Sequence, residues 1–289
     1  MHSKGSYRVI ERTTRDLLGE GPVWSVRRGV LFWVDILAPA LRSLDPDSGA
    51  VFTWDMPEKI GWAIECASDD GFIVGLQSGF ARLDLGTLQI QRIGHPEPHR
   101  PHNRLNDAKV DRAGRIWAGT MDDREIEVLG SLYRLDPGLT WTRHDEGYGV
   151  TNGPTFSPDG ATVYHTDSLD RTVFAFDLTD EGALTNKRLF LRFDDSWGYP
   201  DGMCTDAEGG IWIAHWGGGR VSRFSPDGRL DRSIALPASQ ITSCAFGGAR
   251  FDRMFVTSAA VRVAGEALAG ALFEVESGTR GFAPTLFAG

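Results

Sequence analysis

The sequence predicts an all-β fold, a six-bladed β-propeller that takes up residues 1–289 as one domain. Three observations carry that expectation. Apolar strand cores follow a turn six times, centred on Trp33, Ile73, Trp117, Tyr164, Trp212 and Phe255, at steps of roughly 40 to 48 residues, the period of a four-stranded blade. After each core comes a stretch such as Leu132-Tyr133-Arg134-Leu135 or Val173-Phe174-Ala175-Phe176, alternating with period two as half-buried strands do. The 35 Gly, 16 Phe and 9 Trp among 289 residues describe many short strands joined by tight turns.

In chain order, the anchor strands are residues 30–34, 72–74, 115–117, 162–164, 211–213 and 254–256. The alternating strand after each ends in a turn signal, as at Asp45-Pro46, Asp136-Pro137 and Ser225-Pro226. Ahead of each anchor lies a further element, such as residues 107–111 or 153–157, closed by turns like Ser157-Pro158-Asp159-Gly160, and this is the innermost strand. Helical periodicity is confined to residues 123–129. The two ends, residues 7–10 and 284–287, are expected to pair within one blade and close the ring.

A formal charge of −9 without any Lys/Arg block argues against nucleic acid and anionic membranes as partners. No apolar run has the length of a signal peptide or a membrane span, so the expectation is a cytoplasmic protein, by default a monomer. Cys66, Cys204 and Cys244 lack disulfide-framework or zinc spacing and read as small buried hydrophobes.

Inner strands line a propeller's channel, so position in the repeat is position in space. Counting back about eleven to thirteen residues from the anchors reaches Glu20, Asn106, Asn152, Asp201 and Ser243 at one level; the second repeat, at Trp62-Ala63, offers no side-chain oxygen there. Asn152-Gly153 and Asp201-Gly202 are each ordinary turn dipeptides, and it is the coincidence in register that marks a site. Two carboxylates and a carboxamide converging in a channel repel and desolvate one another unless a cation neutralises them. Glu20, Asn152 and Asp201 are therefore assigned to one divalent metal ion, of the kind that accepts oxygen ligands.

Other designs lack their parts: there is no Gly-x-Ser-x-Gly elbow, Walker loop or HExxH pair. The run from His95 to His102, with three prolines, reads as a loop near the channel mouth, His102 being a candidate substrate contact. His165 and His215 read as core or channel-wall residues. Trp216 is a candidate pocket wall, and Gly217-Gly218-Gly219 a tight strand connection.

The segments Leu18-Gly19-Glu20-Gly21-Pro22-Val23-Trp24, Asn103-Arg104-Leu105-Asn106-Asp107-Ala108-Lys109-Val110-Asp111, Gly119-Thr120-Met121, Gly130-Ser131-Leu132-Tyr133, Thr151-Asn152-Gly153-Pro154 and Tyr199-Pro200-Asp201-Gly202 resemble, in order along essentially the whole chain, the senescence-marker-protein/regucalcin/gluconolactonase family. The resemblance implies a six-bladed propeller that hydrolyses lactones with one divalent metal held by Glu20, Asn152 and Asp201. It implies substrate binding by Arg104 and Asn106, and by Asp123, which stands where the family often has Glu; Asp107 either assists or braces its loop. Residues 122–127 then form a rim or a solvated loop.

On that footing the metal polarises the carbonyl or activates water, Asp201 is the general base, and Arg104 steadies the developing oxyanion. The polar set Arg104, Asn106 and Asp123 points to a hydroxylated substrate, a pentono- or hexonolactone. Calcium, zinc, manganese, magnesium and ferrous iron all remain open. The alternatives are a metal-dependent aryl-ester or organophosphate hydrolase and a non-catalytic calcium-binding propeller.

Overall fold

Residues 6–289 are described in the computed structural model, and twenty-four strands among them form six four-stranded antiparallel sheets. The sheets stand in a ring as the blades of a six-bladed β-propeller. The innermost strands are Gly19–Ser25, Ile60–Glu65, Asn103–Val110, Thr151–Phe156, Tyr199–Thr205 and Ile241–Gly247, and each neighbours the next around the ring. We number the blades 1 to 6 by these strands.

Burial grades outward along each blade. Inner strands such as Ile60–Glu65 are buried at every residue, whereas outer strands such as Val51–Asp55 are largely exposed. Apolar side chains of adjacent blades interlock, as where Phe32 and Val34 of blade 1 meet Ile60, Phe72 and Val74 of blade 2. This removes both faces of the inner strands from water and supplies most of the favourable free energy.

Three blades repeat one polar device inside that apolar packing. The buried indoles of Trp33, Trp117 and Trp212 donate from Nε1 to Asp16 at 3.0 Å, Asp111 at 2.8 Å and Asp206 at 2.9 Å. The same carboxylates are paired with Arg42 at 2.9 Å, Arg115 at 2.7 Å and Arg223 at 2.6 Å. A buried indole N–H needs an acceptor and a buried carboxylate needs a cation, and each trio meets both needs locally.

The ring closes differently from the sequence expectation. Tyr7–Val9 pairs with Phe273–Val275, with Arg8 opposite Glu274, to supply the outer strand of blade 6. Residues 284–287 instead run beneath blade 2, where Phe287 bridges to Cys66 and is fully buried among Trp62, Ile64 and Leu105. Pro284 has no N–H to offer a ladder, and burying the Phe287 ring outweighs strand pairing for this segment.

Residues 123–129, the stretch with helical periodicity, form no helix. The Asp122 carboxylate accepts from the backbone N–H groups of Arg124, Ile126 and Glu127 at 3.1 to 3.3 Å, and these local bonds replace a helical ladder. The helical element described is one 3₁₀ turn, Asp195–Trp197. Among the described residues no helix is long and apolar enough to cross a membrane.

Candidate functional site

All six inner strands slip register near their N-terminal ends: between Glu20 and Val23, Ile60 and Trp62, Leu105 and Ala108, Asn152 and Thr155, Pro200 and Met203, and Ile241 and Ser243. A bulge bends its strand and re-aims the side chains at it. Gly21 and Gly153 take φ of 55° and 74° inside two of these bulges, a left-handed conformation that a Cβ resists. The Gly residues flanking Glu20 and following Asn152 are thus part of how those side chains reach the channel.

The upper end of the channel is a pocket of about 220 Å³ whose lining includes Glu20, Arg104, Asn106, Asn152 and Asp201, five residues from four blades. Asn106 Nδ2 donates to Thr151 O at 2.6 Å and to Asn152 Oδ1 at 3.2 Å, and Arg104 donates to Asn106 Oδ1 at 2.5 Å. Asn152 Nδ2 donates to Ser168 Oγ at 2.8 Å, and Ser168 in turn donates to Pro200 O at 2.6 Å. The amides are therefore oriented by a continuous chain of bonds running from blade 3 to blade 5.

Asp123 stands behind this pocket rather than in its lining. Its carboxylate accepts from Arg104 Nε at 2.7 Å and from Lys59 Nζ at 2.5 Å, so it braces Arg104. Asp107 is buried beneath, taking the N–H of Ala108 at 2.7 Å and of Gly153 at 2.9 Å, which ties blade 3 to blade 4. Ser243 is buried against Gly202 with its Oγ unpaired, and it does not line the pocket. His102 is exposed and also lies outside the lining.

Three carboxyl groups, Glu20, Asp107 and Asp201, are at least 94% buried, with exposures of 5%, 2% and 6%. Burial, with the charge of Asp107, pushes Glu20 up from 4.5 to about 8 against the opposing Gly21 N–H. Burial also raises Asp107. Asp201 is pushed well above the carboxylate range by burial and then by the charges of Glu20 and Asp107, and it faces Glu20 within hydrogen-bonding reach. Such crowding without a neutralising partner is costly. Glu20, Asn152 and Asp201 all line this pocket, and carboxylate and carboxamide oxygens are the donors that a hard divalent cation takes.

With that geometry in place, the comparison with known proteins is direct. The model of the SMP-30/gluconolactonase/LRE-like region matches residues 18–260. The chain belongs to this family. It is 38% identical to a 6-deoxy-6-sulfogluconolactonase of Pseudomonas putida over 94% of this chain and 96% of the relative. It is 37% identical to an L-arabinolactonase of Azospirillum brasilense, over 96% of this chain and 94% of that one. The solved structure of a calcium-binding protein, regucalcin, from Agrobacterium tumefaciens superposes with a TM-score of 0.92 at 29% identity, covering 98% of this chain and 97% of that one.

Several pocket residues of this SMP-30/gluconolactonase family member escaped the sequence reading. Ser168, which orients Asn152, follows an anchor strand in a region read only as core. Arg262 is another: it meets Glu125, which lies in the loop expected as a rim or a solvated loop, in a two-pronged ion pair across the mouth at 2.9 and 3.2 Å although 137 positions apart. No sequence signal links them. Trp216 does line the pocket, as expected, and Gly217–Gly219 is the tight connection from Ile211–Trp216 to Arg220–Phe224. His165 and His215 are core residues, pushed down to about 3 by burial. All three cysteines are buried and free.

Proposed function

We propose that the protein is a sugar lactonase, opening the ring of a pentono- or hexonolactone by hydrolysis to the aldonic acid. The observation that carries this reading is the convergence of Glu20, Asn152, Asp201, Asn106 and Arg104 on one pocket, in a chain 37–38% identical to two proteins named as sugar lactonases. Glu20, Asn152 and Asp201 would hold one divalent ion, drawn from calcium, zinc, manganese, magnesium or ferrous iron. When bound, such an ion supplies Lewis acidity to the lactone carbonyl and neutralises the carboxylates.

The chain's own residues do the rest. Asp201, whose carboxylate lines the pocket, takes a proton from the attacking water. Arg104 is held by Asp123 and Asn106 so that its guanidinium faces the pocket, where it binds ring substituents and the developing oxyanion. Asn106 and Ser168 fix the amide of Asn152 in one orientation. Trp216 and Tyr199 give the sugar ring flat apolar faces.

One observation favours a second reading. Leu18, Ile36, Met121, Val150 and Leu169 make much of the pocket wall apolar, which suits an aryl ester. The test is to strip the protein with chelator and follow acid release from aldonolactones and from phenyl acetate as each divalent ion is added back. Cation-dependent turnover of an aldonolactone above buffer hydrolysis, lost in Asp201→Asn, supports the lactonase. Turnover of phenyl acetate alone moves the assignment to esterase, and turnover of neither defeats both.

A further inference from the structure

We propose that the lower end of the channel is a second small-molecule site, which takes a carboxylate with an apolar body and holds its charge on Lys109. The site shares no residue with the upper pocket.

The channel continues past the buried Asp107 into a cavity of about 500 Å³, lined by the C-terminal halves of all six inner strands. That volume lies in the range of roughly 300 to 1,000 Å³ typical of ligand pockets. Its walls are mainly apolar, with Trp24, Trp62, Val110, Phe156, Phe246 and Leu286 among them. Apolar walls around few polar groups shed water readily and reward an apolar occupant.

Lys109 is the charge that sets the ligand's sign. It sits on the inner strand of blade 3, and its side chain lines this cavity rather than the upper pocket. Among the described residues it enters no side-chain hydrogen bond or ion pair, and Glu20 and Asp107, the carboxyls whose charge it opposes, line no part of this cavity. The other charged groups at the cavity are engaged elsewhere: Glu65 accepts from Ser25 and Arg28, and Arg112 donates to the carbonyl of Pro158. A half-buried ammonium with three donors and no partner favours an anion. Lys109 is the cation set inside the apolar walls, Arg112 being exposed, and a single ammonium there suits a monoanionic carboxylate, since a dianion would be left partly unpaired in a poorly solvated space.

The entrance has the construction of a strap. Residues 280–288 cross the lower mouth and are pinned at one end by Ala207 N to Arg280 O and Gly281 N to Phe251 O, both 2.8 Å. At the other end Phe287 N donates to Glu65 O at 3.0 Å, Ala67 N to Phe287 O at 2.7 Å and Ala288 N to Gly114 O at 3.0 Å. Between these pins residues 282–286 form no backbone hydrogen bond among the described residues, and Phe282 is 45% exposed. A segment fastened at both ends and free between them can lift without unfolding a blade.

The experiment titrates the full chain, loaded with its divalent ion, with octanoate, octanol and inorganic phosphate. Calorimetry reads affinity and tryptophan fluorescence reports on Trp24 and Trp62. Octanoate is expected to bind one site at least roughly tenfold more tightly than octanol, the margin of one charge-assisted contact. Lys109→Met should bring octanoate down to the level of octanol, Lys109→Arg should keep the difference, and Leu286→Trp, which fills the cavity without changing charge, should weaken both. The proposal is overturned if octanoate does not bind, if octanol or phosphate binds as well as octanoate, if Lys109→Met leaves the difference intact, or if octanoate binding survives Leu286→Trp. Should Lys109→Met fail to fold, the ligand comparison and Leu286→Trp decide alone.

Discussion

The two ends of the channel are built from the same six strands and differ in almost everything else. The upper end holds Glu20, Asn106, Asn152 and Asp201 around about 220 Å³, while the lower end holds Trp24, Ile64, Val110, Phe156 and Phe246 around about 500 Å³. The dividing line is the bulge in each inner strand. In blades 1, 3, 4 and 5 polar side chains before and at the bulge line the upper pocket; beyond it, regular pairing returns and the channel is lined mainly by apolar residues. The lesson is that crowded, charge-strained chemistry sits where the sheet is irregular, and the regular part of the same strands serves packing and closure.

The sharpest test of this division is Asp201→Asn, which keeps the shape of the upper end and removes the proposed base. It should lower kcat/KM by about 10²- to 10⁴-fold in cation-loaded enzyme, read by lactone hydrolysis alongside a binding titration showing the ion still held. A drop under tenfold would mean the reacting proton goes elsewhere.

The pH dependence of stability comes next. Folding raises Glu20 from 4.5 to about 8, so between those values the unfolded chain has released a proton that the folded chain retains. The folded state then binds more protons, and the cation-free protein loses stability as pH rises through that window. A bound divalent ion removes the penalty, so the gain in Tm on adding it should grow from about pH 4.5 to 8. A gain that is flat with pH would show that the upper carboxylates do not form the cation site.

Phe287→Ala acts on the opposite end. It removes a fully buried ring that pins the strap, and should cost about 3 to 5 kcal/mol in denaturant unfolding while leaving kcat unchanged. A large loss of kcat in the folded variant would break the separation of the two ends. Arg104→Ala should raise KM about 10- to 100-fold, the size of a lost charge-assisted contact, and Asp123→Asn should follow in the same direction with a smaller effect, because it removes only the brace. His102→Ala, at an exposed position outside the pocket, should change kcat/KM less than about twofold.

Much of this protein was legible because it repeats. The period of the anchor residues announced the blades, and register within the period carried Glu20, Asn106, Asn152 and Asp201 to one level. The same counting failed at Ser243, where the bulge between Ile241 and Ser243 turns the blade 6 side chain away from the pocket. The outer strands were hardly visible, since exposed strands such as Gln89–Gly94 need no apolar pattern. Residues 123–129 looked helical because periodicity does not register that one carboxylate, Asp122, can capture three backbone N–H groups.

By itself, then, the sequence determined the blade count, the all-β class and the polar residues of the inner strands, because these follow from local pattern and from the period that sets position around a ring. Tertiary structure decided what depends on contacts between distant segments. Tyr7–Val9 closes on Phe273–Val275 rather than on residues 284–287, Asp123 stands behind Arg104, Glu125 meets Arg262 over the mouth, and Lys109 faces the lower cavity. The physical reason is that burial and ion pairing are settled by which surfaces meet once six blades close into a ring, and no local pattern in the chain encodes that meeting.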